Sequence, residues 1–266
     1  MLYDQPRPVI IAPSGVGEVL DSGIRLARSN YRLLVTVAAW GVVPAYTLYG
    51  LAPLIPTAPM GGGLVAAVGV GVIAFVLLLS LSSLAVIRAC AQLVDPTIAP
   101  RTVEAAYRGA LGRLPALFLL SLVLGLAAIP LMIVFPLGVY LLIRWSQCAV
   151  AIGVEQVGAI GAIRRSWQLT ERSWWHTCGV QLTASIVTSV LSGALGAMFG
   201  ALGSAAAFFT DSTLISGISS AVGSALGTVI TVPFSEGVVV VLYYELRARA
   251  EGFDLAQRAW LATQAP

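Results

Sequence analysis

The sequence predicts an all-α, polytopic membrane protein with about six transmembrane helices and three short amphipathic helices at the cytoplasmic interface. Three observations carry that prediction. Of the 266 residues, 58% are hydrophobic and 10% charged, and the mean hydropathy is +0.90; in soluble domains about a quarter of residues are charged. Uncharged runs of about twenty residues or more recur along the chain, the length a helix needs to cross roughly 30 Å of hydrocarbon. All fifteen basic residues are arginines, and those outside the apolar runs fall in segments that the runs would place on one side of a membrane.

The runs predict spans at about 33–55, 63–87, 114–130, 136–153, 178–209 and 215–246. They form one membrane domain over 15–255, with tails at 1–14 and 256–266. Spans three and four share one apolar stretch, and the turn around Phe135-Pro136-Leu137-Gly138 admits a re-entrant hairpin as the alternative to two full crossings. No basic region leads into an apolar run within residues 1–14, so the first span is expected to act as an uncleaved signal anchor.

Charge sets the orientation. The connections after spans one, three and five contain a single ionisable residue, Asp211. Arginines gather instead before span one (Arg7, Arg25, Arg28, Arg32), between spans two and three (Arg88, Arg101, Arg108, Arg113), and between spans four and five (Arg164, Arg165, Arg172). The tail adds Arg247, Arg249 and Arg258. Arginine is held on the cytoplasmic side during insertion, so both termini are expected there. The absence of lysine fits a GC-rich coding sequence, and the plasma membrane of a bacterium is the expected location.

Each arginine-bearing segment ahead of spans one, three and five reads as a short amphipathic helix, with acidic residues leading and arginines trailing as the helix dipole favours. The segments are Glu18 to Arg32, Thr102 to Arg113, and Gly158 to Trp175. Such helices lie in the interface with arginines toward headgroups. Two readings stay open: a threefold repeat of interfacial helix, span and span, or the ordinary look of cytoplasmic loops in a small membrane protein.

Arg165-Ser-Trp-Gln-Leu-Thr170 with Trp174-Trp175, then Tyr243-Tyr244-Glu-Leu-Arg247-Ala-Arg249-Ala-Glu251-Gly-Phe-Asp254-Leu255, carry a family resemblance. So does Tyr140-Leu-Leu-Ile-Arg144-Trp145 with Glu155. Over about Leu20 to Leu255 the chain resembles bacterial integral-membrane proteins named after the membrane region that precedes some glycerophosphodiester phosphodiesterases. The resemblance implies a six-helix membrane domain, with no assigned activity for its standalone members. Glu245 stands where the family pattern has aspartate, and the catalytic barrel has no counterpart in the sequence, so the family name implies no reaction.

Two charges are expected deep in the bilayer. Arg144 lies well before Glu155, and Glu236 well before Glu245, which at 1.5 Å per residue puts both on the order of 13–16 Å from the charge belt. Charges there normally pair or face a bundle interior, so Arg144 and Glu236 are the expected ion pair between spans four and six. It would be either a strut or part of a proton or solute path. Gly196, Gly200, Gly223 and Gly227 match the small-xxx-small spacing of close helix packing. Arg164, Arg165, Trp167 and Trp174 are the candidate site for a lipid headgroup, against the plainer reading of topology and an aromatic belt.

Catalysis finds no support in these residues. His176 is the sole histidine and no GxSxG turn is present; no His/Cys/carboxylate spacing suits a metal, and Gly15-Val-Gly17 and Gly61-Gly62-Gly63 lack the lysine of a phosphate loop. Cys90, Cys148 and Cys178 have no CxxC spacing and are expected to be reduced and buried. The arginines are spread too widely for nucleic acid. No cofactor or metal is expected. The sequence thus points to a non-enzymatic integral membrane protein, an accessory or lipid-interacting component of the bacterial envelope, with membrane lipids and a membrane protein as candidate partners. The alternative is a small transporter or channel using Arg144, Glu236, Gln181 and Ser235.

Overall fold

Residues 12–54, 62–95, 102–131, 135–210 and 213–252 are described by a computed structural model, and their regular structure is helical throughout. The element order repeats. Helices α1 (Val16–Ser29), α2 (Tyr31–Gly50) and α3 (Gly62–Val94) form a first set, with a 3-10 turn at Ala52–Leu54 after α2. Helices α4 (Val103–Leu111), α5 (Leu114–Leu131), α6 (Phe135–Trp145) and α7 (Cys148–Glu155) form a second. Helices α8 (Ala159–Thr170), α9 (Trp174–Thr210) and α10 (Thr213–Glu251) form a third. Each set starts with a short amphipathic helix, breaks, and continues in long apolar helices.

The short helices form for local reasons. The Glu18 carboxylate accepts from the Gly15 N–H at 2.9 Å at the start of α1, and the Thr102 hydroxyl accepts from the Ala105 N–H at 3.2 Å at the start of α4. Both bonds satisfy donors that a helix start leaves open. Asp21–Arg25 and Glu104–Arg108 are exposed i,i+4 ion pairs on these helices, with Glu18 and Glu104 in the first turns and Arg28 and Arg108 in the last. Gly112 and Arg113 break α4 from α5 at a bend of 63°.

Five stretches are long and apolar enough to cross a membrane: 31–50, 65–94, 136–155, 174–209 and 214–251. The bent α4–α5 pair supplies a sixth. The protein is therefore an all-α polytopic membrane protein. Three boundaries differ from expectation. Helix α3 runs on to Val94, so Arg88 lies inside a helix and not in a connection. The expected fourth span is two helices, α6 and α7, parted at Ser146–Gln147. The expected turn at Phe135-Pro136-Leu137-Gly138 is instead the first turn of α6, while 132–134 lie outside the described residues, as do Asp211, 1–11 and 253–266.

Every aspartate, glutamate, arginine and histidine among the described residues lies toward one end of the helical bundle. The chain passes that end at the start of α2, α5 and α9, at the end of α3, α7 and α10, and along α1, α4 and α8. No charged side chain occurs within 33–87, 114–143, 177–210 or 213–235. This charged layer is thick, because the short helices pack alongside the last turns of the long ones. Gly23 of α1 lies against Val238 of α10, and Tyr31 stacks on Phe234 with ring centroids 5.5 Å apart.

Close backbone crossings set the packing. A methyl group on Gly223 would come within 2.5 Å of Phe199 Cβ, and one on Gly227 within 3.0 Å of the Ser192 backbone. The Ser224 and Ser220 hydroxyls stand 3.6 Å from the corresponding points on Gly196 and Gly200. The glycines singled out by spacing thus pack α9 on α10 within one chain, as small residues do where backbones approach. A second crossing was not foreseen: Gly23 and Gly237 let α1 lie on α10, leaving 2.5 Å between a Gly23 methyl and Val238 Cα. Ser82 donates to the Ala38 carbonyl at 2.9 Å and Tyr107 to the Val37 carbonyl at 2.7 Å, tying α3 and α4 to α2. The three cysteines are free and buried.

Candidate functional site

The charged layer holds the polar groups that can recognise anything. At its centre Glu155, the last residue of α7, accepts from Arg165 of α8 at 2.9 Å (Nε) and 2.7 Å (Nη2), and from the Tyr243 hydroxyl of α10 at 2.6 Å. Arg165 also bonds Glu251, and Arg247 reaches Glu251 at 3.2 Å and Glu155 at 3.7 Å. Gln156 takes a left-handed φ of 60° that ends α7 and turns the chain into α8. The Glu155 and Arg165 side chains are each about 20% exposed, 20% and 19% respectively. Burial alone would push the Arg165 guanidinium down; the Glu251 and Glu155 carboxylates outweigh it and hold the group firmly charged. Paired both ways, Arg165 is a clamp between α7, α8 and α10.

Arg144 is held nearby, at the end of α6. Its guanidinium packs on the Tyr140 and Trp167 rings, 5.2 and 4.9 Å from their centroids, and donates to the Tyr140 hydroxyl (2.8 Å from Nη2) and the Trp167 carbonyl (3.2 Å). These cation–π and hydrogen-bond contacts offset its removal from water. The Ser166 hydroxyl donates to the Arg144 carbonyl at 2.6 Å and accepts from the Gln147 N–H at 3.2 Å. One side chain therefore stands in for the helical bonds lost at the α6–α7 break.

Glu236 has a different partner, the hydroxyl of Ser83 on α3. The expected Arg144–Glu236 pair is thus replaced by two separate arrangements. The depth estimate assumed straight helices rising from a thin charge belt. In the structure α1 and α8 widen that belt: Arg144 meets α8 directly, and Glu236 lies beside Gly237, which faces Gly23 of α1. Tyr140, one turn before Arg144, was the sequence signal for its real partner.

Arg88 and Arg144 are the two buried arginines among the described residues, and Arg88 donates to the Gly153 carbonyl at 2.7 Å with its guanidinium laid over Gly109. Arg249 and Glu245 form an i,i+4 ion pair near the end of α10. There the fully buried Glu245 also accepts from the Ser14 N–H at 3.3 Å and lies 3.4 Å from His176 Nε2, and Arg249 donates to the Ser14 carbonyl at 2.6 Å.

An open groove of about 740 Å³ adjoins that pair. Tyr140, Arg172, Trp174, Trp175, His176 and Arg249 line it, with Pro136, Glu171 and Ser173 completing the wall. Trp174 is fixed by stacking on Tyr140 (5.7 Å, 25°) and by donating to the Tyr140 carbonyl at 3.2 Å. Trp175 is 81% exposed. Arg172 is exposed and forms no ion pair among the described residues. The groove opens at the first turn of α9, whose leading N–H groups and dipole favour an anion.

Of the four residues proposed for a headgroup, Trp174 alone lines this groove. Arg165 is consumed in the central clamp and Trp167 covers Arg144, while Arg164 is exposed on α8. Arg172, His176 and Arg249 were missed as a set, because α9 and the end of α10 meet only in the fold.

No curated protein and no solved structure matches the chain. A family model described as a domain of unknown function (DUF7847) matches residues 102–246, from the cap of α4 through Leu246 of α10. That stretch includes Arg144, Glu155, Arg165, Tyr243 and Glu245, and it exceeds half of the sequence; the chain belongs to this family.

Proposed function

We propose that the protein is a non-enzymatic membrane protein of the bacterial envelope that engages anionic phospholipid headgroups at a cytoplasmic charged end. The likeness to the membrane region preceding glycerophosphodiester phosphodiesterases belongs to the same proposal, as does an accessory role beside another membrane protein. The observation that carries the reading is the groove at the start of α9, where unpaired Arg172 stands among Trp174, Trp175 and Tyr140. Tryptophan and tyrosine favour the headgroup level, and each arginine near an anionic surface adds about 1 kcal/mol. Glu171 on the rim opposes this attraction, so the preference is moderate.

The test is lipid retention. Protein in nanodiscs of mixed phosphatidylglycerol and phosphatidylcholine is delipidated stepwise, and the retained lipid is identified by native mass spectrometry. Wild type is expected to hold phosphatidylglycerol in preference, and Arg172→Gln to lose about fivefold of that preference, the equivalent of one surface arginine. Equal retention of both lipids by wild type would remove the reading.

A further inference from the structure

A second groove, lined by none of the residues of the first, lies between α3 and α5, with a volume of about 320 Å³. Ser80 and Ser83 of α3, Leu117, Leu120 and Ser121 of α5, and Ala149 of α7 are among its lining residues. Ser83 joins it to Glu236, since the hydroxyl that faces the groove donates to the Glu236 carboxylate behind it. The Ser80 and Ser121 hydroxyls form no hydrogen bond among the described residues, although membrane serines commonly bond their own helix, as Thr188, Ser192 and Ser204 do here.

Glu236 stands apart from the other carboxylates of the interhelical contacts. Glu155, Glu245 and Glu251 each hold an arginine, whereas Glu236 has only the Ser83 hydroxyl. The neighbouring arginines are committed: Arg144 to Tyr140 and Trp167, Arg88 to Gly153. A carboxylate at an apolar boundary without a cation is costly, and a ligand that brings one is favoured there.

We infer that this groove binds a small organic cation, an amine with an apolar body, whose ammonium meets the Ser83–Glu236 pair. Three hydroxyl oxygens accept from the ammonium, and Glu236 supplies the counter-charge. Leu79 of α3 and Leu117 and Leu120 of α5 supply the apolar wall that covers an alkyl chain. The volume lies at the lower end for small-molecule sites, which limits the ligand to a short chain. This site is separate from the headgroup groove in position and in charge, so either can fail alone.

Scintillation-proximity binding of radiolabelled hexylamine to the full chain in nanodiscs tests the inference, with unlabelled hexylamine and 1-hexanol as competitors. Saturable binding displaced by the amine and not by the alcohol is expected, weakened about tenfold by Glu236→Gln. Ser121→Leu fills the groove without touching Glu236 and should abolish binding; it keeps the test meaningful if the Glu236 variant folds poorly. Displacement by hexanol equal to that by hexylamine, unsaturable uptake, or full binding in Ser121→Leu would overturn the inference.

Discussion

Gly23→Val is expected to destabilise the protein by about 3 kcal/mol, the upper part of the range for overpacking. The added carbon would meet Val238 Cα, its amide nitrogen and a side-chain methyl. Cα and N cannot rotate away, so α1 must lift from α10 as a body. Lifting it also disturbs the Ser14 contacts with Glu245 and Arg249. Gly69→Val is the matched control, because nothing lies within 4 Å of the new carbon there. It should stay within about 0.5 kcal/mol of wild type, as surface changes usually do. Unfolding in mixed micelles with rising SDS reads both; equal midpoints for the two variants would contradict the crossing.

The second large effect is expected at Glu155. Glu155→Gln removes the charge that Arg165 and Arg247 face and leaves the Tyr243 hydroxyl a neutral, weaker acceptor. Breaking one side of a buried ion pair costs about 3–5 kcal/mol, and the residual exposure of these side chains lowers that to about 2–3 kcal/mol. Tyr243→Phe removes one hydrogen bond and should cost about 1 kcal/mol. Since both act on one carboxylate, the double variant should fall short of the sum. Strict additivity would mean that Tyr243 and Glu155 do not share the bond.

Charge and hydropathy made the helical plan legible. The three arginine-bearing segments became α1, α4 and α8, each ahead of a long apolar helix, with an acid in the first turn and an arginine in the last in α1 and α4 but not in α8; the small-residue spacing in α9 and α10 became their mutual interface. What failed was inference about depth and breaks. The apolar run through 136–153 gives no local sign of the gap at Ser146, because the bond that replaces the lost helical ones comes from Ser166 on another helix. Arg88 reads as a loop residue until α3 is seen to continue past it, with Gly109 leaving space for its guanidinium. Arg144 and Glu236 have opposite charge at matching distance from the belt, yet aromatic rings and a serine are nearer. The candidate grooves were least legible, since each is assembled from helices far apart in sequence.

One end of the bundle carries the charge, while the other end carries none among the described residues, and the central proposal is that the charged end faces the cytoplasm. Single cysteines at Arg164, exposed on α8, and at Phe209, 84% exposed near the end of α9, report the two ends. In a background lacking Cys90, Cys148 and Cys178, a membrane-impermeant maleimide added to intact cells should label position 209 and leave 164 unlabelled until permeabilisation. Labelling of 164 from outside, with 209 protected, would invert the protein and contradict the account.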